Sequence, residues 1–252
     1  MSRIPSRCSG AAMTDAELAA AIATEAGKLL LALQKSGLSG KELCNAGDFQ
    51  ANLLILARLR AERPGDPILS EESADDLARL TSSRVWIVDP LDGTREFGEG
   101  RSDWAVHVAL AIDGTAQTGA VALPGLGLTL STDAPPALAP AGHPPRMVVS
   151  RTRPPAQTAV IAEALGARMI PMGSAGAKAM AVVRGEAELY FHDGGQHQWD
   201  NCAPAAVAAA AGLHVSRIDG SPIVYNRPET SIPDLLICRP ELAERVLAII
   251  SG

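Results

Sequence analysis

Trp86-Ile87-Val88-Asp89-Pro90-Leu91-Asp92-Gly93-Thr94-Arg95-Glu96-Phe97 delivers two carboxylates, three residues apart, at the carboxyl end of the apolar run Val85–Val88. That run is fit for a buried strand. Pro90 stiffens the turn expected between the acids, and Gly93 lets the backbone come close to whatever they hold. Ligands of open α/β sheets gather at the carboxyl ends of the strands. Two oxygen donors with no His or Cys beside them suit a hard cation such as Mg²⁺. A lone Asp-Gly-Thr is more simply a turn with a helix cap behind it, so the reading turns on carboxylates elsewhere.

Three more acids stand at ends of expected elements. Glu71 follows a short strand at Ile68-Leu69, and Asp48 precedes the second helix. Asp200 lies in Trp199-Asp200-Asn201-Cys202-Ala203-Pro204, where a proline in a first helical turn makes it a helix-start carboxylate. Any one of these alone reads as a cap or a surface group. Together they form an oxygen-only set adequate for two or three Mg²⁺ ions, the equipment of in-line displacement at phosphorus. Haloacid-dehalogenase-type phosphatases also place Asp-x-Asp-Gly-Thr after an apolar strand. Here the residue two before Asp92 is Pro90, so no carboxylate stands where that nucleophile must, and this alternative fails.

Working outward, Thr14-Asp15-Ala16-Glu17 is a capping box, followed by Leu18, Ile22, Ala26, Leu29, Leu30 and Leu33 at helical spacing. Residues 36–47 break the pattern, and a second helix is expected after Asp48. Residues 104–112 and 116–123 flank Asp113-Gly114-Thr115 and read as an antiparallel hairpin, with a further strand at 126–130. A Pro/Ala/Gly-rich stretch at 134–145 is the best linker candidate. Beyond it strands at 147–149, 169–170, 189–191 and 235–238 alternate with helices at 155–165, 174–184, 203–211 and from Pro240. The expected organisation is a tail over residues 1–13, an α+β half over 14–140 with most metal ligands, and an α/β half over 146–252.

The formal charge of −6 leaves no basic stripe for a nucleic-acid polymer, but permits a small phosphorylated substrate beside bound metal. Cys8, Cys44, Cys202 and Cys238 lie far apart, which fits neither a zinc site nor a disulfide framework and points to the reduced cytoplasm. No apolar run approaches a membrane span, and the N-terminus lacks the apolar core of a signal peptide.

With these residues in hand, the chain resembles the inositol monophosphatase superfamily of Mg²⁺-dependent, lithium-sensitive phosphatases. The resemblance rests on Glu71-Glu72, on Asp89 to Thr94 and on Trp199-Asp200, in that order. It implies a layered αβαβα sandwich of α/β (α+β) class, as a monomer or homodimer. By the same resemblance Glu71, Asp89, Asp92, Asp200 and the carbonyl of Leu91 hold metal. Asp48, Thr94 and Glu71 are the catalytic residues, with Thr94 and Asp48 activating the attacking water. The residues before Asp48 are Cys44-Asn45-Ala46-Gly47 where the family has Val-Thr-x-Ala, which leaves the details of that loop open. Glu72 reads equally well as an outer partner of the site or as a surface residue.

Arg95-Glu96-Phe97 narrows the resemblance to the 3′(2′),5′-bisphosphate nucleotidases of the CysQ type, the actinobacterial ones above all. Inositol monophosphatases have Thr-Asn-Phe there. The implied substrate is adenosine 3′,5′-bisphosphate, with the 3′-phosphorylated sulfate donor as a second. Substrate would meet Asp92, Gly93, Thr94, Arg95, Ser150, Arg151, Ser174, Lys178 and Asp200. Ser150-Arg151 resembles the family's Ser-Arg-Ser-His, with Thr152-Arg153 as a departure, and an arginine there could grip a second phosphate. Ser174 and Lys178, four apart, share one helix face. His192 and His197 read as loop or substrate-facing residues, since zinc needs a further ligand. An inositol-1-phosphatase or fructose-1,6-bisphosphatase, and a non-catalytic Mg²⁺- or phosphate-binding regulator, are the alternatives.

Overall fold

The computed structural model describes residues 13–252, so the expected tail falls, but for Met13, outside the described residues. The element order is α1 (Asp15–Leu33), α2 (Gly40–Glu62), β1 (Ile68–Ser70), β2 (Arg84–Asp92), α3 (Thr94–Gly98), β3 (Ala105–Ile112), β4 (Thr115–Leu123) and β5 (Leu128–Ser131). There follow β6 (Arg146–Ser150), α4 (Gln157–Leu165), β7 (Arg168–Met172), α5 (Ala175–Val183), β8 (Leu189–His192), β9 (Gln196–His197) and α6 (Gln198–Ala210). The chain closes with β10 (His214–Ser216), β11 (Ser231–Ile232), β12 (Leu235–Cys238) and α7 (Pro240–Ser251).

Strands β1 to β5 form one five-stranded sheet in chain order, and β10-β12-β8-β6-β7 form a second. Alternation along the first sheet sorts its side chains into two cores. Trp86, Val88, Val106, Val108 and Ala120 pack on Leu18 and Ile22 of α1 and on Ile55 and Leu59 of α2. Val85, Ile87, Ala109 and Val121 face the other way, onto Met180 and Val182 of α5 and Ala203 and Val207 of α6. That same cluster continues into Val148, Tyr190 and Ile237 of the second sheet. The far face of the second sheet, with Met147, Leu189 and Phe191, is covered by Ile161 and Leu165 of α4 and Val246 of α7. The layers therefore run helix, sheet, helix, sheet, helix, the αβαβα sandwich. Each large side chain buried this way contributes about 1.5–3 kcal/mol. Among the described residues no helix is long and apolar enough to cross a membrane.

The capping box of α1 forms as read, with the Thr14 hydroxyl accepting from the Glu17 amide. Two helix starts differ from expectation. Helix α2 begins at Gly40 behind Ser39, so Asp48 sits within it rather than ahead of it. The glycines that suggested a break do not end the helix. Gly47 lies buried in it against Leu91 and Phe97, where a Cβ would come within 3.0 Å of each side chain. Helix α6 starts at Gln198, which moves Pro204 out of the first turn, although Asp200 stays in it. The short strands β9, β10 and β11 were not read from the sequence, being too brief to show a period.

Candidate active site

Strand β2 does not stop before the acids; it runs through them to Asp92. On β3, Asp89 pairs with His107 and Asp92 with Ala105, so three steps along β2 match two along β3. The extra residue is a bulge at Pro90-Leu91 rather than a turn. In a regular strand, side chains an odd number of residues apart point to opposite faces. The bulge cancels that alternation and turns both carboxylates to the α6 side.

Asp200 reaches the same point from the first turn of α6, held by the His197 amide, which donates to its Oδ2 at 2.6 Å. Asp89, Asp92 and Asp200 offer oxygens that all lie within 4.8 Å of one another. Glu71, one step past β1, brings its charge beside Asp89 although the residue as a whole is exposed. Burial, then the charges of Glu71, Asp92 and Asp200, push Asp89 well above the usual carboxylate range. Burial and the charge of Asp200 raise Glu71 as well, and burial lifts Asp200 to about 6. So many acids cannot all ionise together without added positive charge; either protons stay or a cation enters. The donors are all oxygen, and the protein supplies too little charge of its own, which is the environment a hard divalent cation fits.

Asp92 is the exception in this group. Burial alone would raise it, but His107, the Gly176 amide and Lys178 hold it below the ordinary value. Its Oδ1 accepts from the Ala175 amide at 3.1 Å and its Oδ2 from the Gly176 amide at 2.6 Å. The first turn of α5 is thus spent on Asp92 and is not open to substrate. Gly176 permits the approach, since a Cβ there would lie 2.1 Å from His107 Nε2 and 3.1 Å from Asp92 Oδ2. His107, fully buried on β3, sets Nε2 3.2 Å from Asp92 Oδ2 and Nδ1 3.0 Å from the Trp199 carbonyl. It therefore ties the end of β2 to the start of α6. The sequence reading passed over it; its one signal was a polar residue between Val106 and Val108 in an apolar strand.

Thr94 opens α3 behind Gly93, which holds a left-handed φ of 91°. The Thr94 hydroxyl lies 3.4 Å from Asp48 Oδ1 and 3.2 Å from the Leu91 carbonyl. Burial and the charge of Glu72 push Asp48 up to about 6, against the opposing pull of the Thr94 hydroxyl. A hydroxyl and a carboxylate with a raised pKa in contact suit general-base work near neutral pH.

Asp92, Gly93, Thr94, Arg95, Ser150, Arg151, Ser174, Lys178 and Asp200 all line one cavity of about 260 Å³, with Glu96, Arg153, Tyr190 and His192. Lys178 is buried beneath it, donating to the carbonyls of Ser174, at 2.7 Å, and Gly173. Its ammonium lies 5.3 Å from the Tyr190 ring centre, and burial lowers it to about 8. Ser174 caps α5, its hydroxyl accepting from the Ala177 amide at 3.0 Å. Arg151, the arginine expected to grip a second phosphate, is paired with Glu96 and Glu99, each at 2.7 Å. His197 stays out of the cavity and stacks on Trp199 with ring centres 4.8 Å apart.

The model of the inositol monophosphatase family matches residues 9–251. A 3′-phosphoadenosine 5′-phosphate phosphatase of Mycobacterium leprae is 49% identical, with 95% of this chain and 94% of that one aligned. The protein of the same description from Mycobacterium bovis is 53% identical over 90% of each chain. The crystal structure of CysQ from Bacteroides thetaiotaomicron superposes with a TM-score of 0.76 at 25% identity, covering 88% of this chain and 96% of that one.

Proposed function

The chain belongs to the inositol monophosphatase family, and within it we propose a phosphatase that removes the 3′-phosphate of adenosine 3′,5′-bisphosphate, leaving AMP and phosphate. The observation that carries this reading is one cavity joining the carboxylate cluster to the cationic side chains of Arg95, Arg153 and Lys178. It is supported by relatives of about half identity that are described as phosphatases of that nucleotide. The phosphorylated sulfate donor carries the same 3′-phosphate and is the second substrate of this reading.

The family is metal-dependent, and Glu71, Asp89, Asp92, Asp200 and the Leu91 carbonyl would hold two or three Mg²⁺ ions, with Li⁺ as an inhibitor. Bound there, the ions would supply the positive charge that displacement at phosphorus needs. The chain's own groups do the rest. Thr94 orients the attacking water through its hydroxyl, and Asp48 accepts the proton that leaves it. Glu71 belongs with these catalytic groups by its electrostatic coupling to Asp89 and Asp200. Gly93 and Thr94 offer amides to the reacting phosphate, and Lys178 stiffens the cavity floor beneath Asp92 and Asp200. Most of the carboxylates come from residues 14–140, while Ser150, Arg151, Ser174, Lys178 and Asp200 come from 146–252, so the site exists only where the halves meet. A cytoplasmic location fits the separated free thiols of Cys44, Cys202 and Cys238, and a monomer or homodimer belongs to the same reading.

The test is phosphate release with Mg²⁺ from adenosine 3′,5′-bisphosphate, myo-inositol 1-phosphate and fructose 1,6-bisphosphate side by side. A kcat/KM advantage for the nucleotide of about a hundredfold or more, abolished in Asp92→Asn, is expected. Equal or better turnover of the sugar phosphates would overturn the substrate while leaving the phosphatase. No turnover of any ester would favour the binding regulator.

A further inference from the structure

A bisphosphate presents two anions, and the carboxylate cluster with its metal accounts for only the one that reacts. The second must meet a cation not already spoken for. Four cationic side chains line the cavity: Arg95, Arg151, Arg153 and Lys178. Lys178 is buried and committed to two carbonyls. Arg151 donates Nε to Glu96 and Nη2 to Glu99, so two carboxylates neutralise it and bind the end of β6 to α3. Arg95 stands beside Thr94 on α3, at the reacting end.

Arg153 and Arg95 are both exposed at the cavity wall and form no ion pair among the described residues. Arg153 differs in coming from the loop after β6 rather than from the Asp92–Thr94 segment where the reacting phosphate would sit. Its backbone is fixed on both sides: its amide donates to the Ser150 hydroxyl at 3.2 Å, and Pro154 and Pro155 follow it. A residue before proline is confined to extended conformations, so the long side chain stands on a stiff stem. Its charge also reaches His192 at the end of β8, the strand beside β6 in the same sheet. A free guanidinium on a preordered support is well suited to grip a phosphate through paired hydrogen bonds.

Resting on the bisphosphate reading above, we propose that Arg153 is the specificity residue that binds the second, non-reacting phosphate, and that Arg151 is a clamp between β6 and α3. Kinetics of wild type, Arg153→Ala, Arg153→Lys and Arg151→Ala on adenosine 3′,5′-bisphosphate and adenosine 3′-phosphate test it. The wild-type preference for the bisphosphate, as a ratio of kcat/KM, should fall about ten- to a hundredfold in Arg153→Ala, through KM, and recover in part in Arg153→Lys. Arg151→Ala should lower Tm and slow both substrates alike. A preference that survives Arg153→Ala, or that vanishes in Arg151→Ala alone, overturns the assignment and spares the function. A wild-type enzyme with no preference overturns the bisphosphate reading and this proposal with it.

Discussion

Asp92 and His107 show how much of a buried carboxylate's behaviour is set by the groups packed around it. Two α5 amides and one imidazole orient Asp92 and keep it below the ordinary carboxylate value, while burial and mutual repulsion push Asp89 and Glu71 next to it above that value. Such supporting partners are commonly worth about 10–100-fold in metal affinity. Replacing His107 with Leu should therefore raise the Mg²⁺ concentration for half-maximal activity, and for half of the Mg²⁺-induced rise in Tm, by that factor. KM for nucleotide should move less than about threefold. His107→Asn, which keeps one polar partner, should recover part of the loss. Unchanged Mg²⁺ dependence in both variants would make His107 a packing residue only. The clustered carboxylates Glu71, Asp89, Asp92 and Asp200 were legible because all four lie in three short, contiguous motifs. His107 and the Glu96–Arg151–Glu99 contacts were not, because their partners are distant in sequence and meet only across strands and sheets.

At the scale of elements, the sequence pattern located nearly every helix and strand of the two sheets and missed what happens at their ends. A bulge leaves no period to read, yet the one at Pro90-Leu91 is why Asp89 and Asp92 can act together. Glycine reads as a breaker, yet Gly47 lets α2 press on Leu91 and Phe97, and Gly176 lets α5 cap Asp92. This last contact gives an element-level prediction. Gly to Ala inside a helix ordinarily stabilises it by about 1 kcal/mol. In Gly176→Ala the new methyl would sit 2.1 Å from His107 Nε2, so α5 must retreat and release Asp92. Calorimetry should show a lower Tm, with Mg²⁺-dependent activity reduced more than tenfold. A Tm at or above wild type would mean that the helix does not press on the site as described.

Across the whole molecule, the layered sandwich gathers acids from both halves into one buried point, and its stability should depend on pH accordingly. Glu71, Asp200 and Asp48 have folded pKa values raised to about 7, 6 and 6. The native state therefore keeps protons that the unfolded chain gives up near the ordinary carboxylate range. Stability of the metal-free protein should fall as pH rises from the unfolded values through the folded ones, and then level off. His107, whose pKa is raised on balance by Asp92 despite burial, acts in the same direction. Scanning calorimetry in a chelator should show Tm lower at about pH 8 than at about pH 5.5 by a few degrees. Mg²⁺ should restore more stability at the higher pH, where no proton competes for the oxygens. A Tm that rises with pH would mean that the acids are already paired within the protein.

The central claim is that this acidic centre cleaves the 3′-ester of a nucleotide bisphosphate, and the most direct measurement of it is the identity of the product. Adenosine 3′,5′-bisphosphate incubated with the protein and Mg²⁺, then resolved by chromatography against authentic standards, should yield adenosine 5′-phosphate and one equivalent of phosphate, with none formed in excess chelator. Adenosine 3′-phosphate as the product, or turnover indifferent to the chelator, would contradict the account.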